Sequence, residues 1–132
     1  SPTNTAFMLM SSNKSLNTID EQFLKKAIQI VEANLVEEKF NIEFLCKELG
    51  YSRTALYSKI KALTNQPISE FIKLIRLKKS IELFQGGQNS INEVAFLVGF
   101  KTHSHFSRCF SEEFDMPPTE YLAKLKNKKN IT

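Results

Sequence analysis

The sequence contains one pattern twice, and this internal repeat restricts the folds open to the chain. Five pairs of equivalent residues are each separated by 50 positions: Ser52 and Thr102, Leu56 and Phe106, Ile60 and Phe110, Pro67 and Pro117, and Phe71 and Tyr121. The two turn glycines, Gly50 and Gly99, are 49 apart, so Lys101 is a one-residue insertion in the second turn. A short helix, a glycine turn and a second helix, present in two copies, predict paired helix-turn-helix units.

Apolar spacing and capping residues predict an all-α fold of about seven helices. Asp20 is a candidate cap for a first helix ending near Glu37–Phe40, and Ser52 and Thr102 are candidate N-caps for the second helix of each unit. The predicted organisation is a linker or disordered leader over 1–18, a first helix-turn-helix subdomain over 19–66, a connector helix over 67–86, a second subdomain over 87–126 and a basic tail over 127–132.

Composition sets only broad limits on the class of protein. The 132 residues carry a net charge of +4, which mildly favours an anionic partner. Cys46 and Cys109 lie far apart in apolar helical positions and are expected to be buried free thiols of a cytoplasmic protein. No apolar run approaches transmembrane length, so we expect no membrane contact in this segment. Because the first residue is Ser1, we expect an excised piece of a larger protein or a tag remnant.

A longer motif in the second copy carries a family resemblance. It comprises Ile91-Asn92-Glu93-Val94-Ala95, Val98-Gly99-Phe100, Ser104-His105-Phe106-Ser107-Arg108-Cys109-Phe110, Phe114 and Pro117-Pro118-Thr119-Glu120-Tyr121. From about Asp20 to Leu125 the chain resembles the DNA-binding domain of AraC/XylS-type transcriptional regulators. The resemblance implies a sequence-specific, DNA-binding transcription regulator. Asp115 replaces a usual Gly, and Leu122 replaces a common Arg that can contact phosphate or form an ion pair.

Within that family, the first copy resembles the output domains of hybrid two-component proteins. The residues concerned are Phe40-Asn41-Ile42, Gly50-Tyr51-Ser52-Arg53, Leu56 to Thr64 and Glu70-Phe71-Ile72. This resemblance implies a periplasmic sensor, a kinase and a receiver in the same polypeptide, with the parent anchored in the inner membrane and dimeric. Stand-alone regulators share much of the pattern, so both contexts remain open.

Polar residues on the outer side of the second helix of each unit are the candidate DNA contacts. Base-edge contacts need polar side chains that reach into a groove, whereas phosphate contacts need cations, hydroxyls or free helix amides. The base-contact candidates are Arg53, Thr54, Tyr57, Ser58, His103, Ser104, Ser107 and Arg108, and the phosphate candidates are Ser52, Lys59, Lys61, Lys101 and Thr102. With two helices in successive major grooves, one domain is expected to bind an asymmetric site on double-stranded DNA.

Other classes of function are less well supported by the residues. A protein-interaction module, contacting RNA polymerase or a sister domain, remains an alternative because Glu112-Glu113 and Asp115 would repel phosphate. His103, His105 and Cys109 are too few for a closed zinc shell, so we expect no metal and no cofactor. No carboxylate pair, Ser/His/Asp order or Gly-rich phosphate loop can be assembled, so we expect no enzyme activity.

Overall fold

The computed structural model describes residues 18–131, which form seven α-helices and no strand. The helices are α1 (Thr18–Ala33), α2 (Ile42–Leu49), α3 (Arg53–Thr64), α4 (Ile68–Gln85), α5 (Ile91–Leu97), α6 (His103–Phe114) and α7 (Pro118–Ile131). The prediction of an all-α fold with about seven helices is confirmed for this part of the chain. The predicted leader lies, apart from Thr18, outside the described residues.

The described residues form two compact units that divide between Arg76 and Leu77, inside α4. The N-terminal unit, up to Arg76, has a largely aliphatic core in which Leu24, Leu45, Leu56 and Ile60 are each at most 1% exposed. Phe71 and Ile75, on the first half of α4, complete this core. The core therefore buries one face of α3 and leaves the opposite face in solvent.

The core of the C-terminal unit, from Leu77 onward, is mainly aromatic. Phe106 and Phe110 on α6 are fully buried, and their ring centroids lie 5.7 Å apart. The ring centroid of Phe110 also lies 4.6 Å from that of Phe114 and 5.8 Å from that of Tyr121. Phe84 approaches the Phe110 ring edge-on. Aromatic pairs at these separations stabilise a core beyond the burial of their area alone. They fix α6 with its polar side outward.

The glycine turn has the same hydrogen bonds in both units. The Tyr51 amide donates to the Cys46 carbonyl at 3.0 Å, and the Phe100 amide donates to the Ala95 carbonyl at 2.9 Å. These are the six-to-one bonds of a Schellman motif, which needs a left-handed residue at the turn. Gly50 and Gly99 supply it with φ angles of 75° and 93°. Each first helix therefore ends in the same way before its second helix begins.

Three helix ends differ from the sequence prediction. Helix α1 ends at Ala33, earlier than expected, because the Asn34 side-chain amide donates to the Ile30 carbonyl at 2.7 Å and satisfies a terminal acceptor. Asp20 lies in the first turn of α1 instead of capping it. Helix α7 extends to Ile131, so the backbone of the predicted basic tail is helical through that residue.

Candidate nucleic-acid interface

Helix α3 presents a continuous polar face to solvent. Its N-cap is Ser52, whose hydroxyl oxygen accepts a hydrogen bond from the Ala55 amide at 3.2 Å. Leu56, Ile60 and Thr64 are buried on the inner side. The polar residues left exposed on the outer side are Arg53, Thr54, Tyr57, Ser58 and Lys61, and Ala62 is exposed beside them. Four of them are the predicted base-contact residues of the first copy, and the structure brings all four onto one face.

Arg53, the first residue of α3, is held by two neighbours. Its Nη1 lies 3.1 Å from Oε1 of Glu43, a residue of the first turn of α2. Its guanidinium carbon lies 5.9 Å from the ring centroid of Tyr57, one helical turn further along. Tyr57 and, to a smaller extent, the charge of Glu43 raise the pKa of Arg53, and an arginine guanidinium is charged at any working pH even without such a shift. Arg53 therefore offers a fixed cation at the start of the helix.

An open groove runs beside the second half of this face. It is lined by Tyr57, Ser58 and Lys61 from α3 and by Pro67, Ile68 and Ser69 at the start of α4. Lys61 is exposed, and its ammonium contacts the Asn65 carbonyl at 3.4 Å. Much of the lining is apolar, from Tyr57, Pro67 and Ile68, and Lys61 adds an ammonium group that could contact a phosphate.

Lys59 has a different environment from Lys61. Its Nζ lies 3.3 Å from Oδ1 of Asp20 on α1, and the two side chains are only 28% and 23% exposed. The same ammonium lies 5.1 Å from the ring centroid of Phe23. Lys59 therefore links α3 to α1 on the side away from Arg53 and Ser58. Of the phosphate candidates predicted on α3, the structure leaves only Lys61 on the exposed polar face.

Helix α6 repeats the arrangement of α3 in the C-terminal unit. The Thr102 hydroxyl accepts from the His105 amide at 3.1 Å and caps the helix. His103, Ser104 and Arg108 are exposed and Ser107 is partly exposed, with its hydroxyl 3.5 Å from Nε2 of His103. Lys101 is exposed immediately before the cap. The four predicted base-contact residues of the second copy therefore also share one face.

The residues that could suggest a metal site are separated by their environments. The His105 ring packs on Phe100 at 5.3 Å between centroids, and Cys109 is buried in the aromatic core. His103 faces Ser107 on the outer side of α6. Within residues 18–131, no group of three or more His, Cys, Asp or Glu side chains gathers where it could hold a metal ion.

Sequence reasoning missed Glu43, which lies beside this surface, and wrongly included Lys59 in the surface. Glu43 carries no local signal of its contact with Arg53, because that contact depends on how the turn folds α2 against α3. The repeat contains a signal for the position of Lys59, because the residue equivalent to Lys59, 50 positions later, is the buried Cys109. The acidic residues of α6 lie at its C-terminal end, where Glu112 is exposed and Asp115 is the left-handed C-cap.

Two helix-turn-helix units with polar outer faces on their second helices define a class of nucleic-acid-binding domains. Residues 45–124 match the profile of a family described as "Helix-turn-helix domain". The chain belongs to this helix-turn-helix family, in its AraC-type form. It is a DNA-binding domain of the kind found in transcription regulators. None of the helices within residues 18–131 is long and apolar enough to cross a membrane.

Three relatives illustrate the range of the family. A transcriptional regulator with an AraC-type DNA-binding domain from Chromobacterium violaceum superposes with a TM-score of 0.73 at 27% identity, covering 83% of this chain and 96% of that one. The regulatory protein SoxS of Salmonella typhimurium is 27% identical over 105 residues, 80% of this chain and 97% of SoxS. Histidine kinase P4 of Formosa agariphila is 44% identical over 110 residues, which are 83% of this chain but only 8% of the kinase.

Proposed function

We propose that the domain binds one duplex at two places, with α3 and α6 each inserted into a major groove. The observation that supports this proposal is that the whole helix-turn-helix unit, with its polar outer face, is present twice. Both units have the same Schellman turn, the same type of N-cap and four polar residues at equivalent positions on the outer face. In tandem helix-turn-helix binding, successive major grooves on one side of B-DNA are about 34 Å apart. The site is therefore asymmetric, with two different half-elements.

The eight base-contact candidates divide into two sets of different chemistry. On α3, Arg53 can donate to the O6 and N7 acceptors of guanine, and the methyl group of Thr54 can contact a thymine methyl. On α6, the cation lies one turn later, at Arg108, where it can make the same guanine contact. His103, Ser104 and Ser107 surround it with smaller polar groups. The two half-elements should therefore differ in sequence.

Phosphate contacts flank both helices in this proposal. The caps Ser52 and Thr102 lie at helix N-termini, where free amides and the helix dipole favour an anion. Lys61 and Lys101 add exposed ammonium groups near α3 and α6. Lys59 takes no part, because contact with a phosphate would require it to leave Asp20 and Phe23.

The parent protein is proposed to be a hybrid two-component regulator with this domain as its output. The identity of 44% to a segment that makes up 8% of a histidine kinase supports this context. Such a parent would dimerise through its other domains, place two of these segments on repeated sites and hold them in the cytoplasm, where the DNA lies. The regulatory signal would then reach the DNA-binding domain as a change in its local concentration on the operator.

A second candidate function is contact with RNA polymerase or a sister domain through the C-terminal unit. Phe96, on α5, is 66% exposed, so its ring is accessible to the surface of a partner protein. Glu112 is exposed at the end of α6 and would be repelled by a nearby phosphate. Under this hypothesis only α3 enters a groove, and the selected DNA motif contains a single half-element.

Selection of bound duplexes from a random library, followed by anisotropy titrations at several salt concentrations, tests both candidates. Bipartite binding predicts a motif with two half-elements about one helical turn apart and an affinity that falls steeply with salt. A single enriched half-element would favour the second candidate. No enrichment, with binding abolished by moderate salt, would contradict sequence-specific binding by this domain.

A further inference from the structure

One carboxylate lies directly beside the proposed DNA-binding face of the N-terminal unit. Glu43 and Arg53 come from different helices, and their side chains are 70% and 58% exposed. Their contact is a single one, between Oε1 of Glu43 and Nη1 of Arg53 at 3.1 Å. A guanidinium has five N–H donors in a rigid planar fork, so one such contact leaves other donors available for a ligand.

A carboxylate in this position affects two kinds of DNA contact differently. A phosphate carries a full negative charge, so an arginine that moves onto a phosphate must leave Glu43 or bring two anions together. The O6 and N7 atoms of guanine are neutral acceptors, and Arg53 can reach them with its remaining donors while Nη1 stays on Glu43. Glu43 therefore weakens contacts with the DNA backbone more than contacts with a guanine edge.

We propose that Glu43 is a specificity-determining residue, which keeps Arg53 away from phosphates and positioned for base readout. The inference rests on the proposed function, because it requires α3 to face DNA. Glu43 touches no base itself and acts only through Arg53. Non-specific complexes depend almost entirely on phosphate contacts. Loss of the Glu43 charge should therefore strengthen binding to non-cognate DNA and reduce discrimination.

The test compares Glu43→Gln with Glu48→Gln in the full chain. Both residues are exposed carboxylates on α2, so both substitutions change the net charge of the domain equally, and only Glu43 contacts Arg53. Each variant is titrated with the selected cognate duplex and with a scrambled duplex of the same length and base composition. Thermal unfolding of each variant accompanies the titrations, because Glu43 lies in the first turn of α2.

For Glu43→Gln we expect an affinity gain of about two- to fivefold on the scrambled duplex, the range that exposed ion pairs give. The slope of log affinity against log salt should steepen by about 0.9 on that duplex, corresponding to one additional phosphate contact. Cognate affinity should change by less than about twofold, because the guanine contact persists. Glu48→Gln should change both affinities by the same factor and keep their ratio.

A double variant shows whether Glu43 acts through Arg53. In an Arg53→Gln background, the change of Glu43 to Gln should have no further effect on the ratio of cognate to scrambled affinity. The inference is overturned if Glu43→Gln and Glu48→Gln give the same ratio, or if the effect of Glu43→Gln persists without Arg53. A wild-type chain without any cognate sequence would refute the proposed function and this inference together. A selective wild type with a Glu43→Gln variant of equal selectivity would refute the inference alone.

Discussion

Two lysines two residues apart on α3 should have different roles, and this prediction follows from their environments. Lys61 is exposed beside Tyr57 and Ser58, whereas Lys59 pairs with Asp20 at 3.3 Å and lies over the ring of Phe23. The changes compared are Lys61→Gln and Lys59→Gln, which remove the same charge from the same helix. We expect Lys61→Gln to weaken DNA binding and Lys59→Gln to destabilise the fold.

The expected sizes follow from these contacts. One phosphate contact contributes about 0.9 to the slope of log affinity against log salt. Its loss in Lys61→Gln should therefore make the affinity drop between 50 and 200 mM salt smaller by about 3.5-fold. Lys59→Gln removes a half-buried ion pair and a cation–π contact, which together stabilise the fold by about 1–2 kcal/mol. The corresponding fall in melting temperature is about 2–8 °C.

The assays are salt-dependent anisotropy titrations and thermal unfolding followed by circular dichroism, on both variants and the wild type. Lys59→Gln should bind DNA with the wild-type salt slope at a temperature where it is fully folded. Lys61→Gln should melt within about 2 °C of the wild type, because exposed substitutions usually change stability by less than about 0.5 kcal/mol. Equal salt slopes for the two variants, or a greater loss of stability in Lys61→Gln, would refute the assignment of the two lysines to opposite sides of α3.

Three further substitutions test the site and the turns. Arg108→Ala should relax base preference at one or two positions of one half-element, with a loss of about 1–3 kcal/mol of discrimination. The duplex selection is repeated with this variant, and an unchanged motif would contradict a groove contact by α6. Gly50→Ala should destabilise the fold by about 1–2 kcal/mol in urea unfolding, because the φ of 75° at this position is unfavourable for a residue with a side chain. An added Cβ would meet no atom within 4 Å, so the backbone conformation alone causes the loss, and an unchanged unfolding midpoint would argue against the left-handed turn. Asp115→Gly should stabilise the fold by about 0.5–1 kcal/mol, because glycine adopts the φ of 62° without backbone strain and a negative charge is removed from the C-terminus of α6. A lower melting temperature of this variant would show that the side-chain contacts of Asp115 outweigh both effects.

The local parts of the fold were predictable from the sequence because their signals lie within a few residues of one another. Ser52 and Thr102 cap the helices that they were predicted to cap, and Gly50 and Gly99 form the predicted turns. Asp115, which stands in place of a usual Gly, adopts the left-handed conformation with a φ of 62°. Apolar residues at helical spacing then fixed which face of each helix is buried. The eight base-contact candidates could therefore be placed on the outer faces from the sequence, whereas Lys59 was wrongly grouped with them as a phosphate candidate.

Contacts between distant residues could not be predicted in this way. The pair of Lys59 and Asp20 spans 39 positions, and local spacing offers no sign of it. Arg76 is similar, since its Nη1 donates to the Leu35 carbonyl at 2.7 Å across 41 positions, and burial lowers the pKa of its guanidinium. Whether a basic residue on these helices faces a ligand or a neighbouring helix depends on tertiary packing, which the one-dimensional pattern does not contain.

The equal construction of α3 and α6 makes their contact surfaces transferable. Both helices have 12 residues, begin after a hydroxyl cap and end at a left-handed polar residue, Asn65 or Asp115. Outer positions correspond at a constant interval of 50, while the inner ones have diverged into an aliphatic and an aromatic set. A chimaera in which the four outer residues of α3 replace those of α6 would leave both interiors untouched. Under the proposed function, both helices of such a protein would present the same four side chains to DNA, and both should select the same base sequence.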